Sequence, residues 1–352
     1  RKMDINSKLK IINIMSGARF GGAESFFERL AISFAQNQKI QQKVIIKSNK
    51  ERIKKLQTVI NDIEQIVFFN FLNPLCSYKI KNSIEEFKPD IVLTWMNRAS
   101  RLLPPKKIKN EIYVGRLGGY YDIKNYVKCD FLITNTQDLK NFVISKGWDR
   151  KNVEFIPNFV SNNQISASKI YPTEKRNIIC MGRFHHNKAI DILIKSMPFL
   201  PSFNLSIVGE GLLENSYRNL IKKFNLNNRV KLYKWSNNIS SFLNKASMLV
   251  CPSRHEPFGN IVVDGWAHKI PVIVSNVGGP GLMVKHRFNG LKFEKDNVFD
   301  LVEKIKTLNS DDNLKKKVTI NGFKTFKKNY SEKVIVLKYI NFFKRICKLC
   351  AE

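Results

Sequence analysis

Short apolar runs recur along this chain, and each is followed by a turn and then by a longer stretch with helical periodicity. This alternation predicts an α/β protein with parallel, doubly wound sheets. Helices are predicted over residues 25–36 and 77–87. The strands predicted in the first half span residues 10–15, 44–47, 66–69, 91–95, 111–116, 129–135 and 153–160.

A second series of strands and helices follows the polar stretch 161–175, which we interpret as a linker. A helix is predicted from an N-cap at Ser310 to residue 328, and a final basic amphipathic helix over 331–350. We therefore expect an N-terminal domain over 1–165, a C-terminal domain over 166–330 and a terminal helical segment over 331–352. The strands predicted in this half span residues 178–181, 205–208, 229–235, 246–251 and 270–274.

Residues 253–275 carry the most specific chemistry, in the order strand, loop, helix, strand. A helix predicted to start at Gly259 and Asn260 leaves backbone N–H groups free to bind an anion such as a diphosphate. Glu256 precedes that helix and Asp264 lies on it, and carboxylates accept hydrogen bonds from sugar hydroxyls. The combination predicts a sugar-nucleotide site, although an ordinary strand-turn-helix with surface acids has the same spacing.

These residues resemble the motif of family 4 glycosyltransferases, which have the GT-B fold. Glu256, Phe258, Gly259 and Asp264 match its E-x-F-G segment and its two acids separated by seven residues, although the second family acid is Glu.

Three further segments add to the resemblance. Gly182-Arg183-x4-Lys188 is similar to the family's G-R-x4-K, and Gly209 to its V-G-x-G turn. Gly22 lies in a G-G-A-E loop like the one that faces the cleft between the two family domains. From the residues alone, this loop is equally compatible with a structural turn.

The resemblance implies two Rossmann-like domains facing a cleft, with the acceptor on the first, the donor in the second and a C-terminal helix that packs back on the first. It implies a retaining transfer of a hexose from a nucleotide diphosphate sugar, which we expect to be a UDP-hexose. The implied reaction needs no cofactor and no metal ion. The implied catalytic residues are Glu256, Arg183 and Lys188. The implied donor-binding residues are Gly22, Gly182, Arg183, Lys188, Gly209, Phe258, Gly259, Asn260, Ile261 and Asp264.

The implied acceptor contacts are less specific. The segment G-R-L-G-G-Y-Y-D, residues 115–122, is similar to that of enzymes that act on lipopolysaccharide. Tyr121 and Asp122 are therefore candidate acceptor contacts, together with Arg98. The acceptor implied is a lipid-linked saccharide such as a lipopolysaccharide core.

Charge is the unusual compositional feature: 60 Lys and Arg against 29 Asp and Glu give a formal net charge of +31. Such a field attracts polyanions, including an anionic membrane surface. The basic segment 98–109 has embedded leucines and is predicted to be either a solvated loop or a membrane contact. Because no apolar run is long enough to span a bilayer and no secretory signal is recognised, we expect a cytoplasmic enzyme, peripheral on the inner face of the membrane.

Two alternatives to a lipopolysaccharide-type enzyme remain at this point. One is a soluble GT-B sugar synthase. The other is a non-catalytic polyanion or nucleic-acid binder, suggested by the charge and by Trp95, Trp148 and Trp235, but it gives Glu256 and Asp264 no role. We therefore expect no nucleic-acid partner.

Cysteine and histidine usage predicts no metal site. The six cysteines are scattered, and most lie in or beside apolar runs, as expected of buried thiols in a reducing compartment. His185 and His186 are predicted to be exposed loop residues, because no third ligand stands near them in sequence.

Overall fold

A computed structural model describes residues 8–18, 21–67, 74–105, 110–160, 176–236 and 238–350. The chain forms two compact units. Unit 1 comprises Arg1–Asn158 and Glu332–Glu352, and unit 2 comprises Phe159–Ser331. The predicted linker 161–175 and the predicted boundary at residue 165 lie outside the described residues.

Unit 1 contains a seven-stranded parallel sheet with the order β3-β2-β1-β4-β5-β6-β7. The order reverses between β1 and β4, so the loops after these two strands diverge at the carboxyl edge and leave a crevice there. Its strands are β1 (Leu9–Met15), β2 (Ile40–Lys47), β3 (Ile63–Ile66), β4 (Ile91–Trp95), β5 (Ile112–Leu117), β6 (Phe131–Thr134) and β7 (Val153–Phe155).

The helices of unit 1 bury apolar faces against this sheet. They are α1 (Gly22–Ala35), α2 (Lys50–Leu56), α3 (Pro74–Phe87), α4 (Met96–Arg101), α5 (Gln137–Ser145) and the C-terminal helix, Glu332–Leu349. The predicted terminal helix is thus present, and it packs within unit 1. Ser33 Oγ on α1 donates to Glu332 Oε1 at 2.7 Å, and the rings of Phe34 and Tyr339 meet edge to face.

Two predictions for unit 1 are wrong in position, and the predicted strand 153–160 is too long, since β7 ends at Phe155. The third strand is Ile63–Ile66, not 66–69, because β3 is a half-buried edge strand whose I-E-Q-I pattern has little apolar character; residues 68–69 lie outside the described residues. The segment 98–109 is not a loop throughout, since Arg98 belongs to α4. Residues 106–109 are outside the described part.

Unit 2 contains a six-stranded parallel sheet with the order β10-β9-β8-β11-β12-β13. This is again a doubly wound order, and the reversal lies between β8 and β11. Its strands are β8 (Asn177–Met181), β9 (Asn204–Val208), β10 (Val230–Tyr233), β11 (Met248–Cys251), β12 (Val272–Ser275) and β13 (Leu291–Phe293).

Helices cover the sheet of unit 2, and one predicted helix start is corrected. Ser310 ends α11 instead of capping α12, whose N-cap is Asp311; its side chain accepts from Leu314 N at 2.8 Å. An Asp at an N-cap position binds the free N–H groups of the first turn as well as Ser does, which explains the one-residue error. The helices are α6 (Ile190–Ser196), α7 (Glu214–Lys223), α8 (Ile239–Leu243), α9 (Asn260–Ala267), α10 (Gly278–Met283), α11 (Val298–Ser310) and α12 (Asp312–Asn329).

Candidate functional site

The predicted donor residues of unit 2 gather where the strand order reverses. Arg183 and Lys188 lie in the segment after β8, and Glu256 lies in the segment after β11. These strands are neighbours in the parallel sheet, so both segments leave its carboxyl edge side by side. Ligands of doubly wound folds bind in the crevice at this point.

Lys188 and Glu256 are in direct contact although 68 residues separate them: Lys188 Nζ donates to Glu256 Oε2 in a salt bridge. The side chains of Lys188 and Glu256 are 31% and 14% exposed, so the pair is only partly shielded from water. Burial lowers the pKa of Lys188, but the charge and hydrogen bond of Glu256 outweigh it, and the net pKa lies above the usual value. Lys188 is therefore a cation at neutral pH, held beside a carboxylate.

Arg254 holds the two segments together and was not predicted as a site residue. Its guanidinium donates two hydrogen bonds of 2.9 Å to the carboxylate of Asp191, at the start of α6. A third bond of 3.0 Å reaches His186 O, and Arg254 N donates to Asn187 O at 2.8 Å. The loop that carries Glu256 is thus fixed against the segment that carries Lys188. The only sequence indication was an Arg two residues before Glu256.

The turn after β9 packs on the turn after β8 with almost no space between their backbones. A Cβ atom on Gly209 would lie 1.9 Å from Gly182 O and 2.8 Å from Phe184 Cε1. Gly182 N and Phe184 N donate to Val208 O and Glu210 O, which joins the two turns. The absence of a side chain at Gly209 therefore allows the two turns to pack closely at this edge of the sheet.

Gly259 is the N-cap of α9 and has a left-handed conformation, with φ of 92°. A Cβ atom there would lie 2.8 Å from Pro280 Cγ, so both conformation and space favour glycine. Phe258 is buried before this turn, while Asn260 and Ile261 are half-buried in the first turn of α9. Asp264, one turn further on, is 3% exposed.

The other charged groups of this edge differ in their surroundings. Arg183 is exposed, and its guanidinium has no ion-pair partner among the described residues. His185 and His186 are exposed as predicted, and His185 Nδ1 accepts from Asn187 N at 3.2 Å. Within the described ranges, no group of three or more His, Cys, Asp or Glu side chains is arranged to hold a metal ion.

In unit 1, Glu24 of the G-G-A-E motif contacts the segment that follows β1. Glu24 is 7% exposed, and its Oε1 accepts from Ala18 N at 2.8 Å. Gly22 is the exposed first residue of α1, directly after this loop. The described part of the G-G-A-E segment is therefore stabilised by Glu24 itself.

The candidate acceptor residues of unit 1 lie in the segment after β5 and on α4. Tyr121 is half-buried after β5; burial and Glu24 raise its pKa, against an opposing effect of Arg116. Asp122 is exposed and accepts from Lys124 N at 3.0 Å as an N-cap, which gives it a structural role. Arg98 is exposed on α4.

Several residues considered for a membrane or polyanion contact are instead part of the core. Leu102 and Leu103 are 7% and 0% exposed, so the leucines of the basic segment 98–109 face the interior. Trp95 is 1% exposed and packs on Phe26 and Phe27, so it offers no surface to a nucleic acid. No helix in the described part of the chain is both long and apolar enough to cross a bilayer.

Comparison with known proteins agrees with this arrangement. Residues 161–325 match the family described as glycosyl transferases group 1. The chain is 27% identical over 343 residues to the lipopolysaccharide core biosynthesis glycosyltransferase LpsD of Rhizobium meliloti, covering 96% of this chain and 98% of LpsD.

Among solved structures, a glycosyltransferase from Rickettsia africae superposes with a TM-score of 0.83 at 19% identity, over 97% of this chain and 99% of its own. HepE of Anabaena, solved in complex with UDP-glucose, gives 0.81 at 18% identity, over 96% and 100%. At these identities the structures establish the fold, which is GT-B as expected.

The family match covers the unit that holds Lys188, Glu256 and Arg254, while the similarity to LpsD runs through both units. The family also favours an enzyme over the polyanion-binding alternative. The chain therefore has the GT-B fold, and its residues 161–325 match the glycosyl transferases group 1 family, which supports a glycosyltransferase.

Proposed function

We propose that the protein transfers a hexose, with retention of anomeric configuration, from a UDP-hexose to a lipid-linked glycan such as a lipopolysaccharide core. The observation that carries the donor assignment is the contact between Lys188 and Glu256 at the strand reversal of unit 2. The similarity to LpsD over nearly both whole chains supports the acceptor class, and the UDP-glucose complex of HepE supports the donor.

Each group of the site has a proposed role. Lys188 and the exposed Arg183 bind the diphosphate, together with the backbone N–H groups at the start of α9 around Asn260. Glu256 accepts hydrogen bonds from the transferred sugar, and Asp264 from the ribose. In the free chain, Glu256 keeps Lys188 in place and charged before the donor arrives.

These cations also account for a reaction that uses no metal ion. As the bond between C1 of the hexose and the phosphate oxygen breaks, negative charge grows on the diphosphate, and Arg183, Lys188 and the N-terminus of α9 stabilise it. The acceptor hydroxyl attacks on the same face and forms the new C1–O bond. Its proton passes to the departing phosphate, so no side chain serves as a dedicated base.

The acceptor is proposed to bind on unit 1, near Tyr121 and Arg98, with the enzyme at the anionic inner face of the cytoplasmic membrane. The exposed Arg98 and Arg101 can still contribute attraction to such a surface. Their contribution is electrostatic only, because the leucines that follow are buried. Residues 47–55 form a second basic segment of unit 1, but Arg52 and Lys55 are paired with Glu28, which reduces the net charge of that segment.

The test is hydrolysis and transfer with a panel of UDP-, GDP- and ADP-hexoses. We expect slow hydrolysis of a UDP-hexose alone, and faster release of UDP when a lipopolysaccharide core acceptor is added. Turnover only with GDP- or ADP-sugars would contradict the donor assignment. Transfer to a soluble sugar phosphate and not to the lipid-linked acceptor would favour the alternative, a soluble sugar synthase.

A further inference from the structure

A basic surface with an exposed aromatic ring lies on unit 2, outside the donor site. We call it the α12 patch and define it as residues 285–288 with Lys317, Ile320, Lys324 and Lys328 of α12. Phe288 is 46% exposed and Ile320 is 44% exposed. Two exposed apolar side chains thus lie within a cationic surface.

The loop that presents Phe288 is held rigidly. Asn289 is 2% exposed; its Oδ1 accepts from Lys285 N at 2.7 Å and its Nδ2 donates to Met283 O at 3.3 Å. Arg287 N donates to Gly290 O at 2.9 Å, which closes the turn. Phe288 is therefore displayed by a preorganised turn.

This loop and α12 form one continuous surface. Asn321 Nδ2 donates to Phe288 O at 3.1 Å, so the loop rests on the middle of the helix. Lys317 lies four residues before Asn321, and Lys324 and Lys328 lie three and seven residues after it. These helical spacings place the three lysines on the same side of α12 as Asn321. The exposed ring thus adjoins a row of lysines.

The charge of the patch is unopposed. The sequence contains no Asp or Glu between residues 313 and 331 or between 282 and 293. Lys285, Arg287, Lys317, Lys324 and Lys328 are exposed and have no ion-pair partner within the described ranges. Some other exposed cations of unit 2 are paired, as Arg218 is with Glu214.

We propose that the α12 patch docks on an anionic lipid bilayer, with Phe288 and Ile320 entering the headgroup region and the surrounding cations binding lipid phosphates. Apolar side chains within a ring of Lys and Arg are typical of interfacial contacts. A nucleic-acid surface would instead offer several stacking rings, and here one ring is joined by an aliphatic residue. The inference rests on the proposed lipid-linked acceptor for its biological reason, but its test does not depend on catalysis.

The experiment is co-sedimentation of the full chain with phosphatidylcholine vesicles, with and without phosphatidylglycerol. We expect binding only to the anionic vesicles. The variant Lys317→Ala/Lys324→Ala should weaken it at least about tenfold, since each cation near the surface contributes several-fold. Phe288→Ala should weaken binding without altering the charge. Its fold should persist, because the Phe288 bond to Asn321 uses the backbone.

The matched control is Lys222→Ala/Lys223→Ala in the last turn of α7, which removes the same charge from another exposed site of unit 2. Equal losses in both double variants would overturn the proposal in favour of a general charge effect. Unchanged vesicle binding with weakened oligonucleotide binding would replace the bilayer by nucleic acid. Loss of vesicle binding only in Arg98→Ala/Arg101→Ala would overturn the proposal and place docking on unit 1. Hydrolysis of UDP-hexose is measured for every variant, which tests the proposed function separately.

Discussion

At the scale of single residues, the proposed donor site depends on the partners of Lys188. In the free chain its ammonium group is bonded to Glu256, whereas Arg183 is exposed and has no ion-pair partner among the described residues. A diphosphate would add acceptors within reach of a lysine that is already ordered and charged. Part of the entropic cost of binding is therefore met in the folded protein.

Lys188→Ala should weaken binding of UDP at least about tenfold, because a hydrogen bond to a charged group contributes about 1.5 to 3 kcal/mol. Calorimetry measures the affinity. Lys195→Ala is the control, since Lys195 forms a similar pair with Asp191 on α6 and has no proposed ligand. Equal UDP affinity in Lys188→Ala and wild type would remove Lys188 from the site.

Glu256→Gln and Asp264→Asn should change different kinetic constants. A contact with the reacting sugar strengthens as charge develops, so Glu256→Gln should mainly lower kcat; a contact with the ribose is similar in both states, so Asp264→Asn should mainly raise KM for the donor. Asp264→Glu restores the family's longer acid and should retain more activity than Asp264→Asn. Steady-state kinetics with varied donor measure both constants, and wild-type values for both neutral variants would refute the assignment.

At the scale of elements, the Arg254–Asp191 pair holds the loop after β11 against the start of α6 and so positions the proposed donor site. Arg254 and Asp191 are 15% and 21% exposed in this pair. Burial raises the pKa of Asp191, but hydrogen bonds from Arg254 and Lys195 outweigh it and the net pKa is lowered. A carboxyl whose folded pKa is depressed stabilises the fold above its unfolded pKa of about 3.9, and the contribution is lost as pH falls through the folded value.

Asp191→Asn should therefore reduce the free energy of unfolding by about 1 to 2 kcal/mol at pH 7, and the difference from wild type should shrink in acid, below about pH 4. Urea unfolding at several pH values measures it. The control is Glu214→Gln, whose exposed pair with Arg218 should contribute less than about 1 kcal/mol. A difference for Asp191→Asn that is independent of pH would show that the charge of Asp191 is not involved.

At the scale of the whole molecule, unit 1 is completed by the last segment of the chain. The fully buried Arg116 donates from Nε to Tyr339 Oη at 2.7 Å and from Nη2 to Asn158 Oδ1 at 2.5 Å. Its guanidinium also lies over the rings of Phe26 and Trp95, 4.6 Å and 4.7 Å from their centroids. A buried cation is thus satisfied by a residue 223 positions away.

Tyr339→Phe should lower the free energy of unfolding by about 1.5 to 3 kcal/mol, because it leaves a buried charged donor without its acceptor. The control is Tyr126→Phe in the same unit, since the buried Tyr126 hydroxyl has no hydrogen-bond partner among the described residues. That change should be nearly neutral. Equal stability of the two variants in chemical unfolding would contradict the role given to Tyr339.

The net charge of +31 also acts at this scale. If the enzyme docks on an anionic membrane face, vesicle binding should fall steeply as salt rises, because the Debye length shortens from about 10 Å at 0.1 M to about 3 Å at 1 M. Co-sedimentation across a salt series measures this. Equal sedimentation with neutral and anionic vesicles would refute electrostatic docking.

The sequence by itself determined the order of strands, turns and helices, and the spacing of the donor motif. Both are local properties: apolar periodicity distinguishes strand from helix, and Gly182, Gly209 and Gly259 mark turns that need no distant partner to be recognised. Errors of a few residues arose where local patterns were ambiguous, as at the edge strand β3 and at the Asp311 cap.

Only the tertiary structure decided which side chains meet and which are buried. Three contacts join segments that are distant in sequence, and no local pattern in the sequence indicates them. They are the contacts of Lys188 with Glu256, of Arg254 with Asp191 and of Arg116 with Tyr339. The buried leucines after α4 and the exposed Phe288 are both apolar residues beside cations in sequence. They differ in burial because the fold packs other elements against the leucines and leaves Phe288 uncovered. Burial therefore depends on the neighbours that the fold brings to a residue and not on the residue alone.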